Sequence, residues 1–146
     1  MIDIRPYHLD DVAAIAAIAN VAMPYAWSKQ VFIDCVHAGY LGWVAEASLQ
    51  IRGFIIAQVL APECQLLNIC VDPAFTRQKI ASQLFERLLT KVRGMDCQQM
   101  YLEVREGNHS AIAFYECLKF ERAGLRKNYY PCDQGREDAL LMRLVL

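Results

Sequence analysis

Residues 66–89, LLNICVDPAFTRQKIASQLFERLL, read as strand, turn and helix. Leu66, Leu67, Ile69, Cys70 and Val71 make an apolar run of strand length. Asp72-Pro73 ends it, because Pro73 has no N–H to give a ladder and restricts the residue before it. A polar turn follows and becomes basic at Arg77 and Lys79. Ile80, Leu84, Phe85, Leu88, Leu89 and Val92 then recur at helical spacing, opposite Ser82, Gln83, Glu86, Arg87, Thr90 and Lys91. The first amides of a helix lack helical partners, and the helix dipole favours negative charge there. The turn is therefore a candidate anion site with two added cations, although a plain strand-to-helix connection with solvated basic residues gives the same pattern. It is not a Walker loop, since it lacks the glycines and the Lys-Ser/Thr pair.

Working outward, the pattern alternates between strands and helices. Ile2 and Ile4 against Asp3 and Arg5 predict a first strand. Asp10-Asp11 open a helix through Ile15, Ile18 and Ala19, and Ser28 caps a second through Phe32 and Val36. Between them lies an aromatic loop with Tyr25 and Trp27. Residues 39–46 and 52–60 predict two strands around a hairpin turn, and Pro62 separates them from the central strand. After the central helix Gly94 is a stop signal. Met100, Leu102 and Val104 then alternate with Tyr101, Glu103 and Arg105 on a two-faced strand. Asn108 is a good N-cap for a helix over about 109–118, whose stripe is Ala111, Phe114, Tyr115 and Leu118. Residues 120–125 and 139–146 give two last strands, with a polar loop reaching Asp138 between them. The order β-α-α-β-β-β-α-β-α-β-β predicts one mixed α/β domain over 1–146: a central, mostly antiparallel twisted sheet of about seven strands flanked by about four helices.

Bulk composition narrows the class. With 55% apolar and 21% charged residues, the 146-residue chain can build a real core. A net charge of −1 gives no electrostatic reason to expect direct nucleic-acid binding. No apolar stretch is long enough to span a bilayer, and no basic-then-apolar leader is visible, so neither a membrane nor export is expected. The six scattered cysteines have no CxxC spacing and only three histidines accompany them, so a metal site is not expected. Most of these cysteines sit in apolar runs and read as small buried hydrophobes of a reduced, cytoplasmic protein.

With these residues in this order, the chain resembles the GNAT acetyltransferase superfamily, and within it the bacterial branch that acetylates ribosomal-protein alanine. The resemblance is carried by LNICVDP at 67–73, YLEVR at 101–105, residues 108–120, RKNYYP at 126–131 and EDALLM at 137–142. In the first half it rests on element order and the Trp27-Ser28 pair. It implies acetyl-CoA as cosubstrate and the N-terminal alanine of ribosomal protein S18 as acceptor. It implies that Arg77, Gln78, Lys79, Ile80, Ala81 and Ser82 wrap the pyrophosphate, and that Asn108 and Tyr115 also touch the cofactor. Two positions depart from the family pattern: Lys79 and Lys119 stand where glycine is usual. Glycine permits φ above zero and close ligand approach, and lysine does neither cheaply.

Acetyl transfer needs a neutral amine, a polarised carbonyl and a proton for the leaving thiolate. At pH 7 roughly a tenth of N-terminal amines are neutral, against about one lysine in a few thousand. A moderate base therefore suffices for an N-terminus. The resemblance gives that role to Glu103, directly or through water, and the acid role to Tyr115. Read from the residues alone, Glu103 is equally a solvent-facing or arginine-paired carboxylate, and Tyr115 a core aromatic with its hydroxyl at the edge. A backbone N–H around Ile69, Cys70 and Val71 is the simplest carbonyl donor. Trp27, Tyr129 and Tyr130 are candidates to flank the acceptor peptide. Two alternatives stay open: a non-catalytic acyl-CoA-binding regulatory module, and transfer to a small amine or lysine.

Overall fold

The computed structural model describes residues 1–76 and 79–146. Arg77 and Gln78, both expected at the anion site, lie outside the described residues. The described elements follow the predicted order: β1 (Asp3–Pro6), α1 (Val12–Ala22), α2 (Lys29–His37), β2 (Leu41–Ala47), β3 (Gln50–Leu60), β4 (Glu63–Val71), α3 (Ile80–Arg93), β5 (Gln99–Arg105), α4 (His109–Cys117), β6 (Glu121–Cys132) and β7 (Gly135–Val145). Short 3₁₀ turns precede α1 and α3. The strands form a seven-stranded sheet in the order β1-β2-β3-β4-β5-β7-β6. Every neighbouring pair is antiparallel except β4 with β5. Sheet class, strand number and helix number thus match the sequence reading.

Two apolar clusters cover the two faces. On one, Ile80, Leu84, Phe85, Leu88, Leu89 and Val92 of α3 pack on alternate residues of β2 to β5 and β7. These are the residues of the predicted helical stripe, now all buried. On the other, Val12, Ile15, Ala16, Ile18 and Ala19 of α1 pack with Phe32 and Cys35 of α2 on Val44, Phe54, Ile56 and Cys70. Gly53 fixes where α3 begins: a Cβ there would meet the Cys70 carbonyl at 2.9 Å and Ile80 at 3.2 Å. The entry to α1 is set by charge. Arg5 donates to both carboxylate oxygens of Asp11 at 2.9 Å and to Glu46 at 3.2 Å, tying β1, β2 and the helix start together. Cys35, Cys64, Cys70 and Cys97 are buried, as their apolar neighbours in sequence suggested, whereas Cys117 is exposed.

Three boundaries depart from the sequence reading. β4 starts at Glu63 rather than Leu66, because its first residues pair with both β3 and β5 despite being polar. The polar loop expected over 126–138 is instead the end of β6, a two-residue turn and the start of β7. β6 is the sheet's outer strand and almost wholly exposed, so it carries no apolar alternation to betray it. In α4 the most buried residue is Ile112, outside the predicted stripe, because it faces Phe120 and the β5–β7 core while Phe114 is only half-buried.

Both glycine departures have the conformation that glycine would relieve. Lys79 sits at φ +58° as the residue capping α3, and Lys119 at φ +79° just beyond α4. A side chain in this left-handed region costs about 1 kcal/mol or more. Lys119→Gly is therefore expected to stabilise the protein by roughly 0.5–1 kcal/mol, after the larger backbone entropy of glycine is deducted. Urea unfolding checks this: the midpoint should rise with an unchanged slope.

Candidate active site

The site begins where one ladder stops. β4 and β5 pair in parallel only at Glu63–Gln99, Cys64–Met100 and Gln65–Tyr101, yet β4 runs on to Val71 and β5 to Arg105. Each strand is held on its far side, β4 by β3 and β5 by β7. A bulge at Leu67 in the β3 pairing marks the point of divergence, since Ala57 faces Leu66 and Ile56 faces Asn68. Past the bulge the Asp72 N–H donates to the Arg52 carbonyl at 2.8 Å. By the two-residue alternation of an antiparallel ladder, Cys70 then shares its hydrogen bonds with Phe54. The amides of Ile69 and Val71 point the other way, into the gap beside β5. Of the three residues expected to offer an amide there, two present one, and the Cys70 N–H is turned to β3.

A cleft of about 230 Å³ opens at this gap, lined by Trp27, Gln65, Leu67, Tyr101, Glu103, Tyr129, Tyr130 and Leu141 among others. Trp27, Glu103, Tyr129 and Tyr130 therefore come together, as the sequence reading grouped them. Glu103 lies on the face of β5 opposite Met100, Leu102 and Val104, whose side chains are buried. It is half-buried and paired with Arg126, whose Nε lies 3.2 Å from its Oε1 while Arg126 itself stays largely exposed. Trp27 is steadied by the Phe32 ring at 5.5 Å, and Tyr129 and Tyr130 meet edge to face at 4.9 Å.

Tyr115 approaches from the other side of the sheet. Its ring packs on Phe114 and Phe120 within the α3–α4 cluster. Burial pushes its hydroxyl up to about 12, with Tyr130 and Cys70 adding to the shift. Burial likewise pushes Tyr130 up to about 12, and Glu103 reinforces it. Cys70 is no nucleophile: burial holds its thiol up at about 11, further from the thiolate.

The expected cofactor residues lie at the starts of α3 and α4. Ile80, Ala81 and Ser82 open α3, and the first helical bond from Gln83 to Lys79 leaves their N–H groups without helical partners. This is the backbone that a diphosphate needs. Asn108 caps α4, its side chain accepting from the Ala111 N–H at 3.3 Å. None of these four residues lines the cleft described above. Among the described residues no cluster of three or more His, Cys, Asp or Glu could hold a metal.

Several supporting residues escaped the sequence reading. Arg136 donates to the carbonyls of Asn128 and Tyr129, and the Asp138 carboxylate accepts from the Asn128 N–H at 2.8 Å. Together they hold a bulge in which Asn128 has φ +52° and Tyr129 and Tyr130 turn to the cleft. The polar run GRED at 135–138 was the available signal, and it read as a loop.

Comparison with known proteins defines the class. The model of the acetyltransferase (GNAT) family matches residues 12–120. The [ribosomal protein bS18]-alanine N-acetyltransferase of Escherichia coli strain K12 is 37% identical over 134 residues, 92% of this chain and 90% of that one. The crystal structure of the ribosomal-protein-S18-alanine N-acetyltransferase from Escherichia coli superposes with TM-score 0.92 at 36% identity, covering 99% of this chain and 94% of the other. Arabidopsis thaliana NAA60 in complex with acetyl-CoA shares the fold, with TM-score 0.89 at 19% identity over 100% and 99% of the two chains. The fold is that of N-acetyltransferases. The chain belongs to the GNAT acetyltransferase family and is an N-acetyltransferase.

The Tyr115 shift has a testable sign. Its folded pKa of about 12 lies above the ordinary value of 10, so the folded state holds the proton more tightly. That contribution to stability is complete below pH 10 and is lost as pH rises toward 12. The difference in tyrosinate absorbance between wild type and Tyr115→Phe should accordingly rise near pH 12 rather than 10.

Proposed function

We propose that this chain, as one domain over 1–146, transfers acetyl directly from acetyl-CoA to the N-terminal alanine of ribosomal protein S18 in the cytoplasm. The observation that carries the reading is the cleft at the unpaired edge of β4, which brings Glu103 together with Trp27, Tyr129 and Tyr130. The 37% identity to the Escherichia coli enzyme over most of both chains supports the acceptor. Among the described residues no helix is long and apolar enough to cross a membrane, which is compatible with that compartment.

Acetyl-CoA supplies the acetyl group as a thioester. The open amides of Ile80, Ala81 and Ser82 fit its diphosphate, with Lys79 beside them, and the Asn108 end of α4 flanks it; the expected contribution of Arg77 and Gln78 lies outside the described residues. The free amide of Ile69 or Val71 donates to the carbonyl oxygen, as its position in the gap allows. Glu103 accepts the proton that the acceptor ammonium sheds, directly or through one water. Tyr115 donates to the departing thiolate. Its raised pKa keeps it protonated from about pH 8, where the amine becomes neutral, up toward pH 12. Trp27, Tyr129 and Tyr130 flank the acceptor, and a cleft of about 230 Å³ suits a small first residue.

Glu103→Gln and Tyr115→Phe are each expected to lower kcat roughly 100-fold or more. Their melting temperatures should stay near wild type, since neither change opens a cavity. Mass spectrometry of S18 incubated with enzyme and acetyl-CoA should place one acetyl group on the α-nitrogen. Acetyl on lysine side chains alone, or wild-type rates in both variants, would overturn the reading.

A further inference from the structure

Arg105 lies two residues beyond Glu103 on the same face of β5. Its guanidinium sits between two rings, 4.3 Å from the centre of Tyr25 and 4.6 Å from that of Tyr130. Along its edge, Nη1 donates to the Pro131 carbonyl at 2.8 Å and lies 3.3 Å from Glu137. Tyr25 belongs to the loop that carries Trp27, and Tyr130 to the strand that carries Tyr129. One side chain thus holds both walls of the cleft at once.

The brace is itself fixed. Glu137 also accepts from the Gly107 N–H at 2.9 Å, and a Cβ at Gly107 would meet that carboxylate at 2.6 Å. Across the top, the Tyr25 hydroxyl donates to Asp133 at 2.9 Å. Only a flat, edge-donating cation can stack on two rings while hydrogen-bonding in its own plane. Lysine keeps the charge and loses that geometry. The Arg105 side chain is only 20% exposed, covered on its outer side by the exposed Tyr25 ring.

We propose that Arg105 is a positioning residue for the acceptor: by clamping Tyr25 to Tyr130 it sets the distance between the Trp27 wall and the Tyr129–Tyr130 wall, and so the approach of the amine to Glu103. The inference rests on the reading of this cleft as the acceptor site. Arg105 touches neither the cofactor amides of α3 nor the open amides of β4, so its effect is confined to one substrate.

Initial rates with acetyl-CoA and an alanine-initiated peptide test it. Arg105→Met and Arg105→Lys should each raise the peptide KM roughly tenfold, with lysine failing to rescue. The KM for acetyl-CoA should stay within about twofold in both, as expected for a distant site. Tyr25→Ala should shift the peptide KM in the same direction. Combined with Arg105→Met it should add little, because both changes remove one clamp. An unchanged peptide KM, an equal rise for acetyl-CoA, or full additivity with Tyr25→Ala would overturn the assignment while leaving the cleft's role intact. A wild-type enzyme that does not turn over the peptide would instead overturn the acceptor reading and this inference with it.

Discussion

The active site exists because two neighbouring strands of one sheet part company. Unpaired backbone in a protein interior costs free energy unless a partner satisfies it. Here the cost is arranged rather than avoided. β5 is locked to β7 along its whole length, from Gln99–Val145 to Arg105–Ala139. β4 is locked to β3 on both sides of its bulge. Neither strand can swing across to close the gap without breaking an intact ladder. The amides of Ile69 and Val71 are therefore held open toward a space that a substrate can enter, and no induced movement is needed to expose them.

The same gap lets the two faces of the sheet cooperate. Glu103 is presented by β5 on the face shared with α1 and α2, whereas Tyr115 rides on α4 on the opposite face. In a closed sheet these groups would be separated by a layer of backbone. The parting brings the Tyr115 hydroxyl within electrostatic reach of Tyr130 and Cys70 from the far side. Tyr130 in turn feels Glu103. The proposed proton acceptor and proton donor are thus built by different halves of the core.

How much of this the residues disclose depends on the physics each part relies on. Elements buried on one side were legible, because burial imposes a period: α3 reads directly from its stripe, and β5 from Leu102 and Val104 against Glu103 and Arg105. The tip of the β6–β7 hairpin, over residues 126–138, was not, because no apolar period is required of strand residues exposed to water on both faces. The positive φ at Lys79 and Lys119 was foreseeable from the family's glycines at those positions. The parting of β4 and β5 was invisible: it comes from hydrogen-bond register, which leaves no mark on composition. Arg105 was visible as an outward residue of β5, but its partners Tyr25, Tyr130 and Glu137 are scattered over more than a hundred residues of chain, and nothing local to any of them signals the others.

The Arg126 pair bears on how Glu103 can work. An ion pair that is largely exposed on one side is weak and readily exchanged. The carboxylate is thus hydrogen-bonded, while no acceptor is present, by a cation that an incoming ammonium can displace at little cost. The incoming group of the proposed reaction is itself a cation at neutral pH, since an α-amine titrates at about 8. On the proposal above it is drawn to Glu103 in its charged form and loses its proton there. A lysine side chain would have to lose a proton held roughly 300-fold more tightly. On the proposal above, discrimination between the two kinds of amine then follows from the amines' own proton affinities, without any contact dedicated to rejecting lysine.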